Sequence, residues 1–157
     1  RERWPGCRFE FGRLEALPFE DASFDAVFGC STLQYVDIGS AVAEVRRVTR
    51  PGGRAVFISN LAHHPAMRAL RLARRVTAHR YAPFMTPRGY ATVTSLAELF
   101  SAERGWAGVE VRPFALTAPF AMWRLPPGPL VRADEWLLEN YPRMSRLCWR
   151  ALVLAVR

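Results

Sequence analysis

The pattern of apolar positions predicts a strand, a helix and a second strand in the first 60 residues. Apolar residues run almost without interruption from Phe24 to Cys30 (FDAVFGC), as in strands that are covered on both faces of a parallel sheet. Ala41, Val45 and Val48 then recur at the spacing of one helix face, and Arg54 to Ser59 is a second apolar run. This order is typical of two parallel strands joined by a helical crossover.

Polar and turn-forming residues mark the ends of the predicted helix. Asp37 and Ser40 are both candidates for its N-cap, since their side chains accept hydrogen bonds from backbone amides. Residues 50–53 (RPGG) combine a fixed φ with glycines that tolerate a positive φ, which is the chemistry of a type II turn. We therefore expect the helix to end before this turn and the second strand to follow it.

The rest of the chain predicts a single α/β domain over 1–157 with one interruption. Residues 115–147 contain a cluster of prolines and are interpreted as an insertion with a short helix between the last two strands. The other expected elements are a strand at Arg8–Phe11, helices at Ala66–His79, Thr92–Ala102 and about Ala133–Asn140, a loop at Tyr81–Arg88, and strands at Val109–Phe114 and Trp149–Val156.

Composition changes this picture little. Half of the 157 residues are hydrophobic and 23% are charged, and no apolar run approaches the roughly twenty residues of a membrane span. The first residues lack the apolar segment of a signal peptide, so we expect a cytoplasmic protein. Cys7, Cys30 and Cys148 are odd in number and have no neighbouring His at ligand spacing. They are interpreted as small buried side chains, and no metal site is predicted.

The charge distribution adds one observation. The formal net charge is +8, and all 22 basic residues are Arg, which we attribute to coding bias because a phosphate accepts either cation. No acidic residue lies between Glu44 and Glu98, although this interval is rich in Arg. Three interpretations are open: a solvated face whose acidic counterparts are encoded upstream of Arg1, an anionic small-molecule substrate or carrier, and a nucleic acid or acidic membrane surface. We favour the first.

Four short stretches carry a resemblance to a known family. They are GRLEALPF at 12–19, SFDAV at 23–27, LQYV at 33–36 and RVTRPGG at 47–53. With them the chain resembles the class I S-adenosylmethionine-dependent methyltransferases, in particular the group that acts on small molecules. The resemblance implies a Rossmann-like sheet, mostly parallel with an antiparallel terminal strand. It also implies that the chain carries the third to seventh strands and lacks the first two and the glycine-rich loop.

The resemblance further implies a place for the cofactor S-adenosylmethionine. The residues that it puts there are Gly12, Arg13 and Leu14 beside adenine, and Cys30, Ser31 and Gln34 near the methionine portion and the substrate mouth. Arg13 departs from the Asp that the family commonly has at this place. Because a guanidinium accepts no hydrogen bond, recognition of adenine there would rest on the backbone of Leu14.

Few residues stand out for catalysis, since methyl transfer is an in-line displacement that depends mainly on positioning. His63 and His64 follow the second apolar strand, and His63 is our candidate for a general base; the alternative is a solvated pair of loop residues. Cys30 lacks the preceding Pro of cytosine-directed methyltransferases and is interpreted as a packing thiol. The aromatic residues that either pack or line a substrate pocket are Tyr35, Tyr81, Trp123 and Trp136.

The sequence therefore predicts an enzyme that transfers a methyl group from S-adenosylmethionine to O, N or C of a small molecule, anionic ones included. The alternatives are a non-catalytic methyltransferase-like remnant or binding module, and a nucleic-acid methyltransferase. We expect neither a nucleic acid nor a membrane as partner, because no nucleic-acid motif and no lipid-burying aromatic stripe accompany the Arg residues. The oligomeric state is not indicated.

Overall fold

The computed structural model describes residues 6–66, 68–69, 72, 88–117 and 127–157. Strands and helices alternate along them. The bounds are β1 Phe24–Cys30, α1 Ile38–Val48, β2 Thr49–Asn60, α2 Val93–Leu99, β3 Gly108–Phe114, α3 Pro127–Asn140 and β4 Arg150–Val156. Short 3-10 turns lie at Leu33–Tyr35, Ala102–Arg104 and Pro142–Leu147.

The described strands form one sheet in the order β1-β2-β4-β3. β1 and β2 are parallel, with Cys30 opposite Ile58. β4 lies between β2 and β3 and is antiparallel to both, so β1, β2 and β3 all point in the same direction. The predicted fold class is confirmed: three of the four described strands run in the same direction, and β4, the last along the chain, runs antiparallel to them.

The predicted turn at 50–53 is built into the start of β2, where the pairing with β1 is interrupted. Gly52 has a φ of 78°, which a type II turn requires at its third position. A Cβ on Gly53 would lie 2.8 Å from the carbonyl oxygen of Arg50 and 2.9 Å from that of Asp25. Glycine is therefore needed at position 53 because the backbones of β1 and β2 approach each other there.

The core lies on the face of the sheet that α1 and α2 cover. The buried residues of α1 are Ala41, Val42, Val45 and Val48. Asp37 is its N-cap, and the Asp37 carboxylate accepts from the Ser40 amide at 2.8 Å. Phe57 of β2 packs on Phe100, which packs on Trp106, with ring centroids 5.9 and 5.3 Å apart. The helix face predicted from the apolar spacing is thus the face that packs on the sheet.

The opposite face of the sheet is only half-covered within the described residues. Alternate residues of β2 and β4 are partly exposed there, and Phe28 of β1 is 68% exposed. Among the described strands, β1 also pairs with β2 alone. An unpaired strand edge beside exposed apolar side chains favours association with a further strand.

Arg47, near the end of α1, binds the loop that leads into β1. Its guanidinium donates to the carboxylates of Glu44 and Asp21, each at 2.6 Å, and to the carbonyl oxygens of Leu17 and Phe19. Glu44 also accepts from the Leu17 amide at 2.8 Å. We call these contacts the Arg47 clamp. They hold the loop on the helix and thereby determine where β1 begins.

Arg50 extends the same attachment to the turn. Its Nε donates to the Ala22 carbonyl oxygen at 3.0 Å, and its Nη1 donates to Oδ1 of Asp25 at 2.8 Å. The Ala22 amide in turn donates to the Arg47 carbonyl oxygen at 2.9 Å. The stretches at 12–19 and 47–53, which are distant in sequence, are therefore held together by arginine side chains and backbone hydrogen bonds.

The predicted strand at Arg8–Phe11 was wrong. These residues form no strand, and the side chains of Phe9 and Phe11 are 50% and 103% exposed. Alternation of polar and apolar residues stabilises a strand only where a neighbouring strand accepts its backbone and covers one face. Residues 8–11 pair with none of the described strands, so nothing accepts their backbone or covers their apolar face.

Two helices have bounds that differ from the predicted ones. α2 stops at Leu99 and a 3-10 turn follows, so it is shorter than predicted. Its start is as expected, since Thr92 and Ser95 form a reciprocal capping box. α3 begins at Pro127 rather than near Ala133, because the first turn of a helix accepts proline without losing a hydrogen bond.

Some predictions fall largely outside the described residues. Of the helix predicted at Ala66–His79, residues 66, 68, 69 and 72 are described and all are helical. The loop predicted at Tyr81–Arg88, apart from its last residue, and the aromatic residue Trp123 lie outside the described ranges. The segment 115–147 joins β3 to β4 and contains α3; its interpretation as an insertion stays a prediction.

Replacing Arg47 with Lys should destabilise the fold, because the charge is retained while a single ammonium cannot span the acceptors of the clamp. We expect the Tm of the full-length natural protein to fall by on the order of 5 °C. Arg54→Lys is the matched control, since Arg54 is exposed on β2 and has no ion pair among the described residues. Differential scanning calorimetry tests this, and an unchanged Tm for R47K would contradict the role of the clamp.

Candidate functional site

The carboxyl ends of β1 and β2 meet at one edge of the sheet. β1 ends at Cys30, and the amide of the next residue, Ser31, donates to the carbonyl oxygen of Ile58 in β2 at 2.8 Å. Ser31 has a φ of 54°, a left-handed conformation that is uncommon for serine and that occurs often at functional sites. The sulfur of Cys30 lies 3.9 Å from the Ser31 hydroxyl. Both predicted residues thus lie at the edge where open α/β sheets bind ligands.

Gln34 follows in the 3-10 turn after β1 and is only 4% exposed. Its carbonyl oxygen accepts from the amides of Arg88 and Gly89 at 2.7 and 3.3 Å. Its side-chain Oε1 is buried and has no hydrogen-bond partner within the described ranges. Buried polar atoms are rarely left unpaired, so this acceptor is an unusual feature that a bound donor would satisfy.

A short loop carries the other three predicted cofactor residues. A bridge between Arg13 and Ala16 closes it, with the Ala16 amide donating to the Arg13 carbonyl oxygen at 3.0 Å. Leu14 packs against the core, whereas the side chain of Arg13 is 71% exposed. Gly12 lies so close to the ring of Pro18 that a Cβ would come within 2.7 Å of it. The loop is therefore compact and anchored through Leu14.

Glu15 connects this loop to the start of α1 and to Arg88. Its Oε1 accepts from the Asp37 amide at 3.2 Å and lies 3.6 and 3.7 Å from guanidinium nitrogens of Arg13 and Arg88. Its own backbone amide, the Asp37 amide and Arg13 hold the pKa of Glu15 below its ordinary value, against the effect of burial. The backbone amide of Arg88 also donates to the carbonyl oxygen of Gln34. Glu15 and Arg88 therefore connect the predicted adenine loop, residues 12–14, to the predicted methionine side, where Gln34 lies.

Sequence reasoning missed both of these connecting residues. The signal for Glu15 was an acidic residue three positions after Gly12 inside the GRLEALPF stretch. Beside Arg88 the surface has an open depression of about 340 Å³. Its lining residues are Val36, Asp37, Ile38, Gly39, Arg88 and Gly89. The depression is polar at Asp37 and Arg88 and apolar elsewhere.

The two candidate histidines differ in their surroundings. His63 is exposed and lies three residues after the end of β2. His64 is 6% exposed, and its Nε2 donates to the carbonyl oxygen of Leu116 at 3.0 Å. A ring nitrogen held in this way serves to link two segments of the chain. His63 is thus the histidine that remains accessible to a substrate.

The cysteines were predicted to be buried, which is wrong for two of them. Cys7 and Cys30 are exposed, the latter because it lies on the half-covered face of the sheet. Cys148 is buried, and burial raises the pKa of its thiol to about 11, with a smaller contribution from Asp134. Trp136 is 57% exposed on α3, so it lines no closed pocket among the described residues.

Some arginines of the Arg-rich interval form ion pairs with acidic residues of this chain. Arg47 pairs with Glu44 and Asp21, Arg50 pairs with Asp25, and Arg88 lies near Glu15. The interpretation that the counterparts are encoded upstream of Arg1 is therefore wrong for these three arginines. In the described part of the chain, no three His, Cys, Asp or Glu side chains are grouped to hold a metal ion, and no helix is long and apolar enough to span a bilayer.

Comparison with known proteins matches this chain to methyltransferases. A family profile described as "Methyltransferase domain" matches residues 1–57. A demethylmenaquinone methyltransferase from Roseiflexus castenholzii is 32% identical over 126 residues, which are 70% of this chain and 52% of the relative. A malonyl-[acyl-carrier protein] O-methyltransferase from Erwinia billingiae is 44% identical over 50 residues, 31% of this chain and 20% of the relative. The chain thus spans about half of these curated relatives or less.

The fold comparison agrees. The structure of an S-adenosylmethionine-dependent methyltransferase from Mesorhizobium loti superposes with a TM-score of 0.61 at 18% identity. The match covers all of this chain and 74% of that one. At this identity the likeness concerns the fold alone, and it extends well beyond the residues that the family profile matches.

Glu15→Gln should loosen the connection between the predicted adenine loop and α1, because a neutral amide binds Arg13 and Arg88 less strongly than a carboxylate does. Since the pKa of Glu15 is lowered in the folded state, its stabilisation is present above the pKa of the unfolded chain and is lost as the pH falls through the folded value. We expect urea unfolding to show a difference from wild type at pH 7 that disappears in acid.

Glu10→Gln provides the control for this pH dependence, because Glu10 forms only an exposed pair with Arg8. Such pairs contribute little to stability. A deficit for E15Q that stays constant between pH 7 and acid would show that the carboxylate charge of Glu15 is not what holds the loop.

Proposed function

We propose that this chain belongs to a class I S-adenosylmethionine-dependent methyltransferase that transfers the methyl group to O, N or C of a small-molecule acceptor. The family profile over residues 1–57 and the likeness in fold support the proposal. The observation that carries it is the parallel β1–α1–β2 unit, with Cys30, Ser31 and the buried Gln34 at its carboxyl edge. The family profile covers this unit through Phe57.

The residues present fit the cofactor in one respect. Gln34 Oε1 is a buried acceptor that the described residues leave without a partner, and S-adenosylmethionine carries amino and hydroxyl donors. Gln34 is our proposed contact to such a donor. Gly12, Arg13 and Leu14 form the proposed wall beside adenine, where the exposed guanidinium of Arg13 leaves the backbone of the compact loop as the recognising surface.

The chain's own part in the reaction is to position the reactants. Bound S-adenosylmethionine would supply an electrophilic methyl group on a sulfonium; the acceptor would bond to the methyl carbon in line as the carbon–sulfur bond breaks and the sulfur leaves as a neutral thioether. Ser31 and Cys30 define the edge against which the acceptor is aligned, and the hydrogen bond from the Ser31 amide to the Ile58 carbonyl oxygen ties that edge to β2. Where the acceptor bears a proton, His63 is the proposed base, since it is accessible and close to the end of β2.

A small acceptor is favoured over a nucleic acid. The two curated relatives are named for demethylmenaquinone and for malonyl-[acyl-carrier protein], neither of which is a nucleic acid. Three arginines of the basic interval are neutralised by acidic residues of the chain itself, which weakens the case for a phosphate-binding surface. A binding module without catalysis is the second candidate, and the cytoplasmic location stays a prediction.

Binding of S-adenosylhomocysteine to the full-length natural protein tests the proposal, with isothermal titration calorimetry as the measurement. We expect saturable binding that weakens roughly threefold to tenfold in Gln34→Leu, which removes the acceptor while keeping its size. Ser101→Ala is the control, because Ser101 makes no capping hydrogen bond and precedes the 3-10 turn at Ala102–Arg104. No binding at millimolar ligand would refute the methyltransferase function.

His63→Gln tests the proposed base. Label transfer from methyl-labelled S-adenosylmethionine into a small-molecule extract of the source cells should fall in this variant, because the proton of the acceptor then has no base to take it. His64→Gln should instead lower the Tm, because it removes the hydrogen bond to Leu116. A wild-type rate of label transfer in H63Q would exclude His63 as the base.

A further inference from the structure

A row of three residues crosses the sheet at its carboxyl edge. Asn60, the last residue of β2, lies directly opposite Arg150, the first residue of β4, and Arg150 lies opposite Phe114, the last residue of β3. Residues that pair directly across strands have side chains on the same face. We call Asn60, Arg150 and Phe114 the edge row. By the same alternation, Ile58 lies on this half-covered face, one step before Asn60.

Two atoms of the edge row are buried without a hydrogen-bond partner in the described part of the chain. They are Nε of Arg150, a donor, and Oδ1 of Asn60, an acceptor. Although the two residues face each other, these atoms do not bind each other. Burial of both atoms without a partner is costly and uncommon, and the two occur side by side on neighbouring strands. A ligand that offers an acceptor to one and a donor to the other would satisfy both.

Arg150 has no carboxylate partner among the described residues, whereas several other arginines do. Within the described residues, Arg47, Arg50 and Arg112 each donate to an acidic side chain at 2.6 to 2.8 Å. Arg150 has no such ion pair, and its guanidinium carbon lies 4.8 Å from the centre of the Trp149 ring. Stacking on an indole orients a guanidinium while leaving its charge unneutralised. The side chain is thus held in place and retains its capacity for an anion.

We propose that the edge row binds the anionic end of the methyl acceptor, a carboxylate held by Arg150, while Asn60 Oδ1 accepts from a hydroxyl or amine of the same molecule. The role as an acceptor subsite rests on the proposed function. Phe114 within the row and Ile58 beside it are apolar and favour an acceptor whose remaining surface is apolar. Arg binds carboxylates through two parallel hydrogen bonds, so a planar carboxylate matches the site better than a neutral group does.

The spacing of the strands sets the size of this acceptor. Gln34, the proposed cofactor contact, follows β1, whereas Arg150 belongs to β4, and β2 lies between them. Neighbouring strands are about 4.8 Å apart, so the anion lies roughly 10 Å from the end of β1. A molecule of one or two rings spans that distance. The carboxylate of the cofactor itself is a second source of the same chemistry, and the experiment must separate the two.

Benzoate serves as the probe, with benzamide as its uncharged isostere, in calorimetric titrations of the full-length natural protein. We expect saturable benzoate binding that exceeds benzamide binding and weakens about tenfold in Arg150→Gln. Arg54→Gln is the matched control: Arg54 lies on the same strand and sheet face as Asn60 but at the opposite end, opposite Val156. Benzoate should bind R54Q like wild type. Arg150→Lys, which keeps the charge and loses the paired hydrogen bonds, should bind with intermediate affinity.

Parallel titrations with S-adenosylhomocysteine separate this inference from the proposed function. Unchanged S-adenosylhomocysteine affinity in R150Q, with benzoate binding weakened, supports an acceptor subsite. Loss of S-adenosylhomocysteine binding in R150Q would assign the site to the cofactor's own carboxylate and overturn the inference. The inference would also be overturned if R150Q and R54Q bound benzoate equally. It would be overturned as well if the wild-type protein bound benzoate and benzamide with equal affinity, a result that does not depend on the folding of any variant.

Discussion

The hydrogen bonds that Arg47 forms with the loop ahead of β1 are the constraint on which the rest of the structure depends. They join α1 to a backbone segment some thirty residues earlier, and Arg50 continues the attachment to Asp25 inside β1. Because β1 and β2 are joined through α1, fixing the loop on this helix fixes how β1 lies beside β2. The glycine at position 53 then allows the two backbones to approach closely. The position of every group at the carboxyl edge follows from this alignment.

The carboxyl edge is unusual for its unpaired polar atoms. Gln34 Oε1, Asn60 Oδ1 and Arg150 Nε are buried without hydrogen-bond partners among the described residues, and all lie where β1 and β2 end or where β4 begins. Ser59 Oγ, beside this edge, and Trp106 Nε1, beside α1, are likewise unpaired there, whereas the groups of the Arg47 clamp are well bonded. Such buried groups are usually completed by water, an ion or a ligand. The edge therefore has a polar contact near β1 and a charged one on β4, with apolar strand residues between them.

The sequence was sufficient to predict the sheet because its strands are nearly continuous apolar runs and the helix between them has a regular apolar face. Asp37 was one of two predicted caps, and the RPGG turn was recognisable from residue chemistry alone. The strand at Arg8–Phe11 failed because alternation describes one face of a strand and says nothing of a neighbour. The roles of Glu15 and the edge row could not be predicted from the sequence for a related reason. They depend on contacts with residues such as Asp37, Asn60 and Arg150, which only the folded chain brings together.

A crystal structure of the full-length natural protein with S-adenosylhomocysteine tests the central claim most directly. The account predicts that β1 and β2 run parallel with Cys30 opposite Ile58, and that the ligand lies at their carboxyl ends with a donor on Gln34 Oε1. A ligand bound at the other edge of the sheet, or antiparallel pairing of these two strands, would contradict it.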